Sequence, residues 1–280
     1  MGIRIITDST TEISMDEAKK LDITVLPLKT LFGDEVYLDG IDITPEEFYA
    51  KLAVSEKLPT TSQPSPFEFE ETYKQSLEAG DKIIVICIAA NLSGTYQSAC
   101  MARENFDGDI WVIDSGTATI GLQILVRLAI SLRDRGKTAE EIVQIIEDKK
   151  DSVCLFAVID TLEYLYKGGR LSRTSTYAGT LLRVKPLVTL QQGVIKIIGK
   201  CLGLKKAYEE LLRSVKNIGG IDYSKPFSIG YSGDRGHFSR FEQECRPFFG
   251  AHIPLVNVVG SVIGTHAGPG AAAIAFFVAQ

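Results

Sequence analysis

Five short runs of apolar, largely β-branched residues recur through the first part of the chain: Ile3 to Ile6, Val25 to Leu28, Ile83 to Ile88, Ile110 to Ile113 and Val153 to Ile159. A strand with one wet face alternates apolar and polar residues, so runs without that alternation predict strands covered on both faces, as in a parallel sheet. The helix starts between them are well marked. Ser14-x-x-Glu17, Thr44-Pro45-Glu46-Glu47, Ser65-Pro66-x-Glu68 and Thr138-x-x-Glu141 read as capping boxes, two of them with Pro at the first helical position. Strands alternating with capped helices predict an α/β N-terminal half.

After about residue 151 the pattern changes. Pro186 to Leu190, Gln191-Gln192-Gly193 and Val194 to Ile198 read as a hairpin, followed by a helix near Lys205 to Lys216. Strands are expected at Phe227 to Tyr231, Pro254 to Val259 and Ala272 to Val278, with a helix at Phe238 to Phe248. A hairpin requires antiparallel neighbours, so the second half is expected to be an α/β domain with a mixed sheet. At 280 residues the chain suits two domains, and we place them at 1–150 and 151–280.

An apolar fraction of 45% excludes a disordered chain, and 30 Lys and Arg against 35 Asp and Glu give a net charge of −5. The cations are scattered, which argues against a nucleic-acid partner. Ile3 to Ile6 is too short for a signal-peptide core, and neither Ala271 to Ala279 nor Ile120 to Leu132 approaches the roughly 20 residues of a membrane span. Five cysteines, an odd number without a C-x-x-C pair, fit a reducing cytoplasm and no zinc site.

The chemistry is expected where hydroxyl residues and glycines crowd together after strands. Thr7-Asp8-Ser9-Thr10 follows the first strand, at the edge where parallel sheets bind ligands, although Asp8 equally suits a turn. Thr60 to Ser65 is a polar loop in which helix capping accounts for Ser65 but not for Thr61 or Ser62. Asn91-Leu92-Ser93-Gly94-Thr95 precedes a helix, so its hydroxyls can serve as a cap or hold a carboxylate or phosphate beside free amides. Asp114-Ser115 reads as a cap or turn. Gly264-Thr265-His266 through Gly270-Ala271 reads as a glycine-dense loop that lets backbone approach a ligand, without the features of a nucleotide-binding loop. Lys167-Gly168-Gly169-Arg170-Leu171-Ser172 suits a helix C-terminus or an exposed docking arginine.

Taken in order and spacing, Thr7-Asp8-Ser9, Thr61-Ser62-Gln63-Pro64, Ser93-Gly94-Thr95, Asp114-Ser115, Gly168-Gly169-Arg170 and Gly264-Thr265-His266 through Ala271 resemble the DegV family, nearly end to end. That family includes FakB, the fatty-acid-binding subunit of bacterial fatty acid kinase. The resemblance implies a two-domain DegV/dihydroxyacetone-kinase-like fold, with an α/β/α N-terminal domain and a second α/β domain. It implies one long-chain fatty acid, such as palmitate, held with its tail in an apolar tunnel and its carboxylate at Thr61, Ser93 and His266. Asp8, Ser9, Ser62, Gly94, Thr95, Asp114, Ser115 and Thr265 would support that site.

By the same resemblance the chain is a non-catalytic cytoplasmic lipid carrier for phospholipid metabolism. It would need no cofactor, and a separate ATP-dependent fatty acid kinase would form the acyl phosphate. Arg170 would belong to the kinase-docking surface, while Leu202 stands where the family commonly has a second arginine. That departure leaves a lipid-responsive sensor, or a paralogue without kinase coupling, as an alternative. A serine hydrolase using Ser93, His266 and Asp8 or Asp114 is the rival from another class, and it lacks the glycine two residues before Ser93 that a nucleophile elbow requires.

Overall fold

The computed structural model describes residues 2–171 and 184–279. In chain order the N-terminal elements are β1 (Ile3–Asp8), a 3₁₀ turn (Ser9–Thr11), α1 (Met15–Lys20), β2 (Ile23–Leu26), β3 (Lys29–Phe32), β4 (Glu35–Leu38) and α2 (Pro45–Val54). They continue with β5 (Thr60–Ser62), α3 (Pro66–Glu78), β6 (Lys82–Cys87), α4 (Thr95–Arg103), β7 (Ile110–Asp114), α5 (Ile120–Asp134) and α6 (Ala139–Lys150). Four of these strands form a wholly parallel sheet in the order β2-β1-β6-β7, with Ile5 opposite both Ile23 and Ile84. Its two faces are both dry. Ile83, Val85 and Cys87 join the core under α3 and α4, whereas Ile84 and Ile86 join the core under α5 and α6, so the run has no polar alternation.

Thr44, Ser65 and Thr138 form complete capping boxes. Ser14 forms only half of one: it accepts from the Glu17 amide, while the Glu17 carboxylate pairs with Arg127 instead of reaching back. A three-stranded antiparallel sheet, β4-β3-β5, was not expected. It takes Thr60 to Ser62 out of the loop class and pairs Thr61 with Thr30.

The second half contains β8 (Val153–Val158), α7 (Glu163–Lys167), β9 (Val184–Gln191), β10 (Val194–Leu202), α8 (Leu204–Asn217) and β11 (Ser228–Tyr231). It closes with α9 (Arg235–Phe249), β12 (Leu255–Val258), α10 (Ser261–Ala267) and β13 (Ala272–Phe277). The sheet order is β10-β9-β8-β13-β11-β12, antiparallel throughout except for the parallel β11–β12 pair. The expected hairpin is therefore present, and the sheet is mixed. Phe156, Leu187, Ile274 and Phe276 face a core shared with α8 and α9, and the opposite face carries Leu155, Ala157, Val188 and Ala273.

Helix α5 joins the two halves. Every residue from Ile120 to Val126 is buried, because the helix packs against β1 and β6 of the parallel sheet and also against β8, β11 and β13 of the mixed sheet. A helix that is apolar all round needs such a two-sided burial. No helix among the described residues is long and apolar enough to cross a membrane.

Candidate functional site

A cavity of about 140 Å³ lies at the junction of the halves, floored by the face of the mixed sheet that carries the alanines. A single water needs roughly 10 to 15 Å³, so this space suits a ligand rather than one solvent molecule. Ala273 stands opposite Ala157, Ala157 opposite Val188, and Leu190 opposite both Leu155 and Ile195; all six line the space. Small side chains at adjacent register positions leave a trough in the sheet. Val262 and Ile263 of α10, together with Leu28, Ile88 and Leu92, complete the apolar wall. Two hydroxyls within that wall are already committed: Thr189 Oγ1 donates to the Leu155 carbonyl at 2.9 Å and Thr119 Oγ1 to Glu12 at 2.8 Å.

The remaining polar lining is Thr61, Ser62, Gln63, Ser93, Arg170 and His266. Thr61 comes from β5 and His266 from the last turn of α10, and their side chains meet at 2.9 Å between Oγ1 and Nε2. His266 thus lies on a short helix rather than in the glycine-dense loop expected for it. Desolvation, with a smaller contribution from the Arg170 guanidinium, pulls the imidazole pKa down to about 4, so the ring is neutral at pH 7. Its buried Nδ1 has no partner. An orphaned buried N–H is rarer than an orphaned acceptor, which places the proton on Nε2 and makes His266 the donor to Thr61. The Thr61 O–H is then free to point into the cavity.

Ser93 follows the same logic. It accepts from the Thr95 amide at 3.3 Å and shares a 2.8 Å contact with the Thr95 hydroxyl. If Thr95 donates that bond, the Ser93 proton is available to a ligand. The Ser93 turn lies close to the Thr61 segment, since a methyl group built on Gly94 would meet the Gln63 amide.

Of the supporting residues singled out from the sequence, only Ser62 lines the cavity. Asp8 is fully buried and accepts from the Thr10 amide and hydroxyl and from the Ile88 amide at 2.8 Å; burial raises its pKa to about 6. Ser9 donates to Asp39, Asp114 accepts from the Ala90 and Gly116 amides, Ser115 donates to the Thr117 carbonyl, and Thr265 donates to the Ser261 carbonyl within α10. These groups shape the loops around the cavity. Neither Asp8 nor Asp114 reaches His266, and no carboxylate among the described residues meets either of its ring nitrogens, so the hydrolase triad does not assemble.

Arg170 is half-buried and lines the cavity wall. Ser172, the last residue of its motif, lies outside the described residues. Leu202, by contrast, is 69% exposed on the edge strand β10.

The residues missed from the sequence are the buried carboxylates that hold α10. Asp39 accepts from the Ser261 amide at 2.9 Å and hydroxyl at 2.7 Å, and Glu12 accepts from the Gly260 amide at 2.7 Å. Desolvation raises the pKa of both. Neither had a signal in the sequence as an anchor of α10, because their partners at the start of that helix are more than 200 residues away.

The sequence profile of the DegV family, described as an uncharacterised protein family, matches residues 2–279. A DegV domain-containing protein of Caldanaerobacter subterraneus subsp. tengcongensis is 39% identical over 276 residues, covering 98% of each chain. Among solved structures, a fatty-acid-binding DegV family protein of Thermus thermophilus superimposes with a TM-score of 0.89 at 34% identity, covering 99% of this chain and 100% of its own. A stearic-acid-binding protein of Eubacterium ventriosum gives 0.85 at 26% identity, with 97% and 96% covered. With profile, sequence and two-domain fold agreeing over almost the full length, this chain belongs to the DegV family.

Proposed function

We propose that the protein binds one long-chain fatty acid, with its tail over the Ala157–Ala273 trough and its carboxylate at Thr61, Ser93 and His266. The carrying observation is the division of the cavity into an apolar wall with its hydroxyls committed and a polar cluster in which Thr61 and His266 meet at 2.9 Å. The fatty-acid-binding relatives in Thermus thermophilus and Eubacterium ventriosum support the same ligand class. The halves 1–150 and 151–280 act as two domains with the ligand between them. Burying about 15 methylenes supplies on the order of 12 kcal/mol before ordering and association costs, so the tail dominates affinity. The polar groups fix orientation, each contributing about 1 to 3 kcal/mol.

The bound carboxylate is presented to a separate ATP-dependent kinase, which forms the acyl phosphate while this chain acts as a non-catalytic carrier. A Thr61→Ala, Ser93→Ala, His266→Ala triple variant tests the site. It is expected to lose palmitate binding and, with the kinase and ATP supplied, to yield no acyl phosphate trappable by hydroxylamine. Undiminished binding and yield would refute the assignment.

A further inference from the structure

Wall segments that are far apart in the sequence meet at two carboxylates that do not themselves line the cavity. Glu12 Oε2 accepts from the Gly260 amide at the start of α10, and its Oε1 accepts from the Thr119 hydroxyl at 2.8 Å. Asp39 Oδ1 accepts from the Ser261 amide and hydroxyl, and its Oδ2 accepts from Ser9 Oγ at 2.7 Å, which in turn accepts from the Leu28 amide at 3.1 Å. Thr119 and Leu28 line the cavity, as do Val262, Ile263 and His266 of α10. Each carboxylate therefore has one oxygen on α10 and the other on the rest of the wall. The two converge, since a methyl group built on Gly260 would lie 3.0 Å from Asp39 Oδ1 and 3.1 Å from Glu12 Oε2. Thr119 also has a φ of +48°, a conformation that a β-branched residue seldom adopts and that persists only where its surroundings hold it.

We propose that Glu12 and Asp39 are positioning residues that set the spacing of α10 from Thr119 and Leu28, and so fix the cross-section of the cavity and select straight acyl chains over branched ones. The assignment rests on the fatty-acid reading above and extends it to tail selection. Hydrogen bonds to a carboxylate are shorter and stronger than those between neutral groups, so the spacing they impose is stiff. A wall that cannot give way turns each methyl branch into overpacking. No cation among the described residues bonds to either carboxylate, so the spacing is carried by acceptor bonds and not by an ion pair. An amide of the same shape can keep it: its oxygen takes the α10 amide while its NH2 donates to Thr119 or Ser9, whose hydroxyl turns round. Alanine leaves nothing between the segments.

The test is the binding of palmitate and of phytanate, a methyl-branched acid of the same main-chain length, to delipidated protein, read as the ratio of the two dissociation constants. Wild type is expected to favour palmitate. Glu12→Ala and Asp39→Ala are each expected to move the ratio toward phytanate by roughly tenfold, and Glu12→Gln and Asp39→Asn to hold it within about twofold of wild type. Gly260→Ala removes no hydrogen-bonding group but presses against both carboxylates; it is expected to move the ratio in the same direction as the alanine variants and serves where one of those does not fold. An unchanged ratio in the folded alanine variants and in Gly260→Ala would overturn the proposal, because a merely structural role weakens both acids alike. Amide variants that behave like the alanine ones would overturn it too, by making charge and not spacing the property that matters. Wild type that binds both acids equally overturns the proposal and leaves the fatty-acid reading standing, whereas wild type that binds neither overturns the two together.

Discussion

His266 illustrates how burial sets a protonation state and, through it, a direction for a hydrogen bond. Its folded pKa of about 4 lies below the unfolded value of 6.5, so the unfolded chain gains a proton that the folded chain refuses as pH falls between those values. The fold therefore loses stability over that window, by about 1.4 kcal/mol per pH unit. Asp8 acts in the opposite sense, because its folded pKa is raised from 3.8 to about 6: its contribution is present at low pH and is lost as pH rises through about 6. A comparison with His266→Gln cancels the Asp8 contribution. Between pH 7 and pH 5, urea denaturation is expected to show wild type losing on the order of 2 kcal/mol more than His266→Gln. Parallel pH profiles would mean that the imidazole titrates normally in the fold.

Among the elements, β8 and β13 set the shape of the cavity through the Ala157–Ala273 pair, and α10 supplies the opposite wall. Ala157→Leu is expected to shorten the tail the protein accepts, moving its preference toward shorter acids than the wild type takes, at about 0.8 kcal/mol for each methylene displaced. A chain-length series of binding titrations checks this, and an unchanged preference would place the tail elsewhere. The same elements separate what the sequence revealed from what it hid. Strands β1, β6 and β8 were legible because burial on both faces leaves unbroken apolar runs, and Thr44, Ser65 and Thr138 announced their helices through local capping chemistry. Strands β3 to β5 carried no comparable signal: they are three or four residues long, and Thr61 is a strand residue only because Thr30 lies opposite it. Helix α10 was hidden for a related reason, since Gly260 and Gly264 resemble a loop until Glu12 and Asp39 hold its first amides. The hydroxyl clusters were visible as sequence, but their separation into Thr61 and Ser93 in the cavity, and Asp8 and Asp114 in turns, comes from tertiary structure.

At the scale of the whole molecule, α5 ties the parallel and mixed sheets into one packed unit, and the cavity opens beside its start at Ala118 and Thr119. A ligand filling that cavity would touch both halves, so its binding energy would add directly to the stability of their junction. On the proposed reading, a long-chain acid in that trough is expected to survive purification. Native mass spectrometry of the purified protein, followed by denaturation, organic extraction and identification of the released molecule, therefore tests the central claim most directly. The account predicts one long-chain fatty acid per chain. A protein that is empty, and that stays empty after incubation with palmitate, would contradict it.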